Sequence, residues 1–234
     1  MAKEVKNSKI VRNYVFKNNN YKKPDIILGI DPGISLTSVG AFSIFNAKGK
    51  LMDIIDLPFF CFSKMVKRKE TIRNDAGKLI PTGKLITKEM QEPWLDSRKL
   101  MQTLQPYRAK VSNTLVFIEE QLVNTIPQNQ NNNKSDPGKA AFSRQFQNYG
   151  KLISVIELAG IPYCQLYPIS WKSKLGLNKD NKDLSASEVK KKSLNMAKQL
   201  FPEMSNCFNR QRDHNAAESA LIGYAGIHHF LPIL

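Results

Sequence analysis

The segment that decides the fold is IILGIDPG, residues 26–33, in which a short apolar run leads directly into an aspartate, a proline and a glycine. A continuous run of this kind is typical of a strand that is buried on both faces of a sheet. Pro32 and Gly33 predict a sharp turn directly after Asp31. We therefore expect residues 26–30 to form the central strand. Asp31, at its end, is either a turn residue or a functional carboxylate.

The segments around this strand predict an α/β fold. Residues 38–45 and 51–60 are apolar and predict, with the first strand, a three-stranded antiparallel meander. Residues 114–121 and 161–168 predict two more strands, each preceded by a helix. Helical spacing or capping signals mark residues 92–111, 139–160, 185–202 and 213–230. Because strands joined by helices run parallel, we expect a mixed five-stranded sheet, three antiparallel strands plus two parallel ones, flanked by helices.

The chain of 234 residues is long enough for one core, and we expect residues 25–234 to form one domain. Residues 1–24 are basic and predict a disordered arm. Residues 64–88 predict a protruding hairpin or a mobile insertion, and the Asn-rich residues 124–138 a flexible loop. No window is apolar enough for a membrane helix. Three distant cysteines, Cys61, Cys164 and Cys207, indicate neither a disulfide framework nor a zinc site, which favours a reducing intracellular compartment.

The net charge indicates a polyanionic partner. The chain has 35 basic and 20 acidic residues, a balance of +15. The excess is concentrated in the N-terminal arm, in residues 64–88 and in residues 171–192. Lysine-rich loops around a neutral core predict a surface that contacts the phosphates of nucleic acid, although solubility alone is the simpler alternative. Within residues 64–88 the candidate DNA-binding residues are Lys64, Lys67, Arg68 and Lys69.

Acidic residues follow the predicted strands and begin the last helix. Asp31 and Glu119 end two buried strands, and Asp213 and Glu218 lie at the start of the helix that follows. Functional groups gather at the carboxyl ends of parallel strands, so we expect these side chains to converge. Clustered carboxylates repel each other unless a cation lies among them, and Mg²⁺ prefers oxygen ligands. An acidic site on a basic protein predicts a metal-dependent nuclease.

Each acid also has a structural alternative. Asp31 can initiate a turn, and Asp213 can cap the last helix. Adjacent strand residues point to opposite faces, so only one of Glu119 and Glu120 is expected at the site. Glu218 follows His214 by one helical turn, which suits either a ligand pair or a surface ion pair.

Three motifs, LGIDPG, FIEEQ and DHNAAESAL, resemble in order and spacing those of RuvC-type Holliday junction resolvases, members of the RNase H-like superfamily. The resemblance spans residues 26–228, and the PISWK segment resembles divergent phage and organellar members. The basic insertion at residues 64–88 and the Asn-rich tract depart from the compact bacterial pattern. It implies an RNase H-like fold and a homodimeric, Mg²⁺-dependent endonuclease. Its implied substrate is a four-way DNA junction, cut by paired symmetric nicks on opposing strands.

Carried over to this sequence, the resemblance implies that Asp31, Glu119 and Glu218 bind two Mg²⁺ ions, with Mn²⁺ as a substitute. Asp213 or His214 is expected to complete the set. Bacterial members have an acid or a histidine three residues before the last acid, whereas this chain has Asn215. The IEEQ motif favours Glu119 over Glu120. The candidate DNA-binding residues of the second basic segment are Lys172, Lys174 and Lys182.

Two other functions remain open at the level of the sequence. One is an RNase H-like nuclease that acts on another branched or hybrid nucleic acid. The other is a catalytically inactive nucleic-acid-binding protein on the same fold, for which Asn215 is the main indication. In each case we expect an intracellular protein associated with DNA, in the cytoplasm or nucleoid, at a viral replication site or in a DNA-containing organelle.

Overall fold

A computed structural model describes residues 10–12, 23–35, 39–108, 113–121, 138–178 and 184–231, with only the backbone at Ile10–Arg12, Arg68, residues 138–142 and Ala186. Within these ranges the strands are, in chain order, β1 Ile10–Arg12, β2 Ile26–Ile34, β3 Val39–Asn46, β4 Leu51–Asp56, β5 Phe59–Arg73, β6 Leu79–Leu95, β7 Thr114–Glu119 and β8 Tyr163–Leu166. The α-helices are α1 Ser97–Leu104, α2 Gly138–Leu158, α3 Pro168–Lys174, α4 Ala186–Leu200 and α5 His214–Ala225.

The main sheet confirms the expected five-stranded arrangement. Strands β2, β3 and β4 form the antiparallel meander, and β7 and β8 run parallel to β2 on its other side. The sequence did not predict β1, which adds a sixth strand by pairing antiparallel with β8 in the order β1-β8-β7-β2-β3-β4. The carboxyl ends of β2, β4, β7 and β8 therefore lie at one edge of the sheet, which is named the catalytic edge because two candidate catalytic residues, Asp31 and Glu119, lie there.

Helices cover both faces of this sheet, because successive strand residues point to opposite sides. Ile27, Leu115 and Phe117 pack with α4 and α5 on one face, whereas Leu28 and Val116 pack with α1 and α2 on the other. The result is a three-layer α/β domain with a core on each side of the sheet. None of the described helices is both long enough and apolar enough to cross a membrane.

Helix α5 lies unusually close to the central strand. A side chain at Gly29 would collide with the backbone of Ser219 and Gly223, so glycine at this position permits the contact. A hydrogen bond of 2.6 Å joins the hydroxyl oxygens of Ser219 and Ser43, which lies on β3. This packing fixes the first turns of α5 against the sheet, directly beside Glu218.

The chain after β4 agrees with the sequence prediction in the hairpin expected for residues 64–88, but not in the bounds of the elements around it. Strand β4 ends at Asp56, and Phe59–Leu95 forms a separate two-stranded sheet, so residues 64–88 are part of a long hairpin. The helix predicted for residues 92–111 was wrong at its start, because Glu92 to Leu95 still pair with β5. Helix α1 begins only after Asp96, whose carboxylate accepts a hydrogen bond from the backbone N–H of Lys99.

Other predicted elements agree with the structure more closely. Helix α4 begins with the expected capping box, in which Ser185 and Glu188 bind each other's backbone N–H groups. Helix α5 lies within the segment predicted to be helical, and α2 begins one residue before its predicted segment. The sequence missed the short helix α3, which follows β8 directly. Most of the basic arm and nearly all of the Asn-rich loop predicted for residues 124–138 lie outside the described residues.

Candidate active site

Three carboxylates come together at the catalytic edge. Asp31 lies near the end of β2, Glu119 is the last residue of β7, and Glu218 lies in the second turn of α5. Ile30 is paired with Ile118 on the adjacent parallel strand. Asp31 and Glu119 follow these two residues and therefore lie side by side at the ends of the two strands. Because Ile27 and Phe117 face α5, alternation directs Asp31 and Glu119 to the same face as Glu218. The predicted convergence of these three residues is therefore present in the fold.

Asp31 does not end its strand in the sharp turn that the sequence predicts. Asp31 still pairs with Ala41, and pairing resumes between Ile34 and Val39 after a register shift. The backbone N–H of Gly33 donates a 2.9 Å hydrogen bond to Oδ1 of Asp31 across this irregularity. Pro32 and Gly33 thus form a bulge that holds the buried Asp31 carboxylate, which is 7% exposed, at the edge of the sheet.

Lys172 places a positive charge among the carboxylates. Helix α3 begins directly after β8 at the catalytic edge, and the ammonium of Lys172 lies 3.2 Å from Oε2 of Glu218 and 3.9 Å from Oε2 of Glu119. Burial lowers the pKa of Lys172, but the charges of Glu218 and Glu119 outweigh it and raise the pKa overall. Lys172 is therefore a charged partner of the acidic group, and its role as a DNA contact stays a prediction.

Two neutral donors orient the glutamates. The indole Nε1 of Trp171 donates a 2.8 Å hydrogen bond to Oε2 of Glu119. The hydroxyl of Ser193, on α4, donates a 3.0 Å hydrogen bond to Oε1 of Glu218. Trp171 is fully buried, and its contact with Glu119 was not predicted from the sequence. Nothing in the sequence pattern indicated Ser193, because a serine inside a lysine-rich helix carries no local signal of function.

Two of the carboxyl groups, Asp31 and Glu119, have strongly raised pKa values. Burial raises the pKa of Asp31 well above its usual value, and the charges of Glu218 and Glu119 raise it further. Burial also raises the pKa of Glu119, to about 7, although Lys172 opposes this effect. One ammonium therefore does not compensate fully for the burial and mutual repulsion of the acidic group. Perturbed carboxyls of this kind are typical of catalytic and metal-binding sites.

The donor set fits a hard divalent cation in its chemistry. Asp31, Glu119 and Glu218 supply carboxylate oxygens, which Mg²⁺ prefers, and the raised pKa values of Asp31 and Glu119 reflect burial together with repulsion between the carboxylates. The side-chain arrangement is nevertheless not that of a formed metal site. Across the described ranges, no group of three or more His, Cys, Asp or Glu side chains is arranged to hold a metal ion. The ammonium of Lys172 lies where it competes with a cation for Glu119 and Glu218.

Asp213 and His214, the two residues predicted to complete the metal-ligand set, have different environments. Asp213 binds the guanidinium of Arg210, with 2.9 Å between Arg210 Nη2 and Asp213 Oδ1, and its pKa is lowered because the bonds from Arg210 outweigh burial. Burial lowers the pKa of His214, and the charges of Glu218 and Lys172 also act on it. The Nδ1 atom of His214 lies 3.0 Å from the carbonyl oxygen of Gln211. The arrangement therefore ties Asp213 to Arg210 and leaves His214 nearer to the acidic group.

Asn215 and Glu120 occupy the two flanks of the site. Asn215 is buried one turn before Glu218, and its Nδ2 lies 3.5 Å from the carbonyl oxygen of Gly33. Glu120 lies near Tyr167 and Tyr149. The charges that shift the pKa of Asp31 are those of Glu218, Glu119 and Lys172. Of the two adjacent glutamates, Glu119 is the one that contacts Lys172, which agrees with the preference from the sequence motif.

The basic candidates have different environments. The ammonium of Lys64 pairs with Glu92, whereas Lys67 and Lys69 are exposed on the hairpin. Lys174 is exposed in the last turn of α3. The side chain of Arg68 and the whole of Lys182 lie outside the described part of the chain. The role of these residues in DNA binding stays a prediction.

Comparison with known proteins gives similarity in structure only. No family model matches the chain, and no curated protein matches it. A solved structure of T. thermophilus RuvC in complex with a Holliday junction substrate is 12% identical, with a TM-score of 0.42, over 88% of this chain and 96% of that chain. A second structure, of Thermus thermophilus RuvC, is 13% identical, with a TM-score of 0.39, over 88% and 97% of the two chains. A similarity at this level does not establish function, which depends on the side chains of the site itself.

Proposed function

We propose that this protein is a Mg²⁺-dependent endonuclease that resolves four-way DNA junctions by paired symmetric nicks. The observation that supports this most directly is the gathering of Asp31, Glu119 and Glu218 at the catalytic edge of a chain whose net charge is +15. A basic surface attracts the DNA backbone, and an acidic pocket on that surface needs cations in order to accept a phosphate. This combination is the one that phosphodiester hydrolysis requires.

In this proposal Asp31, Glu119 and Glu218 hold the divalent ions through their carboxylate oxygens. When bound, such ions would activate water and stabilise the charge on the departing 3′ oxygen. Trp171 and Ser193 hold the two glutamates in position through their hydrogen bonds. Lys172 holds the acidic group together through its contacts with Glu119 and Glu218, and these contacts would have to open for the carboxylates to hold divalent ions.

The proposed enzyme is a homodimer that acts on DNA inside the cell. A four-way junction has approximate two-fold symmetry, so a two-fold dimer would present one site to each of two opposing strands. Lys67, Lys69 and Lys174 are exposed and would contact phosphates without reading the base sequence. Affinity should therefore depend on salt and on the shape of the substrate.

A second candidate function is a nucleic-acid-binding protein without catalytic activity. Lys172 in contact with two of the carboxylates, and Asn215 in place of a charged ligand, both favour this alternative. A test compares a synthetic four-way junction with a replication fork, a flap and an RNA–DNA hybrid in millimolar Mg²⁺. Paired nicks at symmetric positions of the junction support the proposal. Preferred cleavage of another substrate, or binding of the junction without Mg²⁺-dependent cleavage, supports the alternatives.

A further inference from the structure

The hairpin of β5 and β6 carries a surface that the acidic site does not use. Hydrophobic side chains are exposed along it, including Phe60, Phe62, Met65 and Leu85, which are 38%, 57%, 66% and 64% exposed. Residues 64–88 of the same hairpin contain eight basic residues and two acidic ones. Exposed apolar side chains interleaved with cations mark an interaction surface rather than a merely solvated one.

The two phenylalanines form a defined aromatic feature at the base of the hairpin. Phe60 and Phe62 are two residues apart on β5 and so lie on one face of it. Their ring centroids are 5.0 Å apart and their planes meet at 84°, an edge-to-face contact. Trp94 lies opposite Phe60 on β6, and Lys64 follows on the same face. Lys64 pairs with Glu92, which lies opposite Phe62, so the exposed positive charge near the aromatic pair comes from Lys67 and Lys69 further along β5.

The hairpin begins at the catalytic edge. Asp31 is paired with Ala41 on β3, and Ala41 is paired with Asp56, the last residue of β4. Two strand spacings, roughly 10 Å, thus separate the backbones of Asp31 and Asp56. Phe60 is only four residues beyond Asp56 in the chain. Nucleic acid that reaches the carboxylates would pass close to the aromatic pair.

Helix α2 holds the base of the hairpin in place. The amide of Asn148 accepts a 3.0 Å hydrogen bond from the N–H of Leu95 and donates one of 3.2 Å to the carbonyl of Pro93. Arg144 lies 3.0 Å from Glu92. The ammonium of Lys151 lies 4.4 Å from the centroid of the Trp94 ring. These contacts fix the aromatic pair relative to the sheet, as a positioned binding element requires.

We propose that Phe60 and Phe62 stack on unpaired bases at the branch of the DNA, while the lysines of the hairpin contact the flanking phosphates. The choice of DNA as the partner rests on the proposed function. Aromatic side chains in a basic setting bind single-stranded bases in this manner, because every base has a stacking face. A second copy of this hairpin is disfavoured as the occupant, because two strongly basic surfaces repel each other.

The test uses the full chain in EDTA, where cleavage does not interfere, and a four-way junction with 2-aminopurine at the branch. Binding of the wild type should raise the fluorescence, because the base leaves the DNA stack. The double variant F60A/F62A should lose this increase and bind the junction roughly 5- to 100-fold more weakly, while its affinity for fully paired duplex changes less than about twofold. Salt-matched titrations keep the phosphate contribution constant.

Two controls make the result specific. The variant F60L/F62L keeps apolar area but has no aromatic ring, so it should also lose the fluorescence increase while circular dichroism shows an intact fold. The variant M52A/L158A removes two exposed hydrophobic side chains outside the hairpin, 54% and 74% exposed, and should behave as the wild type.

The inference is overturned if F60A/F62A binds the junction and raises the fluorescence as the wild type does. A change in sedimentation of the variant with unchanged DNA binding would also overturn it, by assigning the pair to a contact between protein chains. The proposed function can fail independently of this inference. If the wild type gives the fluorescence increase but does not cleave the junction in Mg²⁺, the stacking surface is supported and the nuclease activity is contradicted.

Discussion

The ammonium of Lys172 lies 3.2 Å from Oε2 of Glu218, which joins the short helix after β8 to the last helix across the acidic site. The same ammonium lies 3.9 Å from Glu119, and the charge of Lys172 also acts on Asp31. One lysine thus interacts with all three carboxyl groups. Lys172 and a divalent cation are expected to compete for the same oxygens.

Replacing Lys172 by methionine should destabilise the metal-free protein. The change leaves buried carboxylates without their cation, which we expect to cost about 2–3 kcal/mol in the free energy of unfolding at pH 8. Millimolar Mg²⁺ should restore more stability to this variant than to the wild type. Urea unfolding in EDTA and in Mg²⁺ measures both effects. K172R is the matched control, because it keeps the charge; a K172M protein as stable as the wild type in EDTA would contradict the counter-ion role.

Stability should fall as the pH rises through the titration range of Glu119. Burial is the main reason that its pKa is raised, from 4.5 to about 7, in the folded protein. Between these two pKa values the folded state keeps a proton that the unfolded chain has lost. The stability that this proton contributes is therefore full below about pH 4.5 and is lost as the pH rises through about 7. The expected loss is roughly 2–3 kcal/mol.

The variant E119Q isolates this effect, because glutamine does not titrate. Urea unfolding in EDTA at pH 5 and pH 8 should show a smaller decrease for E119Q than for the wild type. Equal decreases for the two proteins would mean that Glu119 titrates with an ordinary pKa and is not part of a crowded acidic group.

Converting Asn215 to aspartate should strengthen metal binding. Asn215 is buried one turn before Glu218, and its side chain lies beside the bulge that holds Asp31. A fourth carboxylate there adds repulsion without metal and adds a ligand with it. We expect N215D to be less stable in EDTA and to bind Mg²⁺ several-fold more tightly by calorimetry. The exposed substitution N209D should change neither quantity. Unchanged or weaker Mg²⁺ binding by N215D would exclude this position from the metal site.

Much of this site follows from the sequence, and the reasons are local. The apolar run before Asp31 and the one that ends at Glu119 identify two buried parallel strands, and such strands end at one edge of a sheet. Alternation within β7 separates Glu119 from Glu120. The capping signal at Ser185 and the run of residues after Asp213 likewise predict helices that the structure contains.

The features that the sequence missed depend on distant contacts. Trp94 and Leu95 suggested a helix, but their segment pairs with β5 and is held by Asn148, which is 53 residues from Leu95. The bond between Ser193 and Glu218 joins two helices, and β1 exists only through pairing with β8. The lysine-rich pattern predicted that Lys172 contacts phosphate. It did not show that α3 turns this ammonium toward the glutamates.

Asp213 should not contribute to metal binding. Its carboxylate is bound by the backbone and the guanidinium of Arg210, which lowers its pKa. We expect D213N to bind Mg²⁺ within about twofold of the wild type and to unfold at a slightly lower urea concentration. H214A is the informative comparison, because His214 is the nearer of the two to Glu218. Loss of Mg²⁺ binding in D213N would show that the pair with Arg210 opens when metal binds.

The most direct measurement is cleavage of a synthetic four-way junction by the wild type and by D31N in millimolar Mg²⁺, with binding of the same junction measured in parallel. The proposal predicts paired symmetric nicks by the wild type. It also predicts at least a 100-fold lower cleavage rate for D31N, with junction affinity within about twofold, because one ligand charge is lost and the basic surface is kept. Wild-type rates from D31N, or no paired nicks from the wild type, would contradict the central claim.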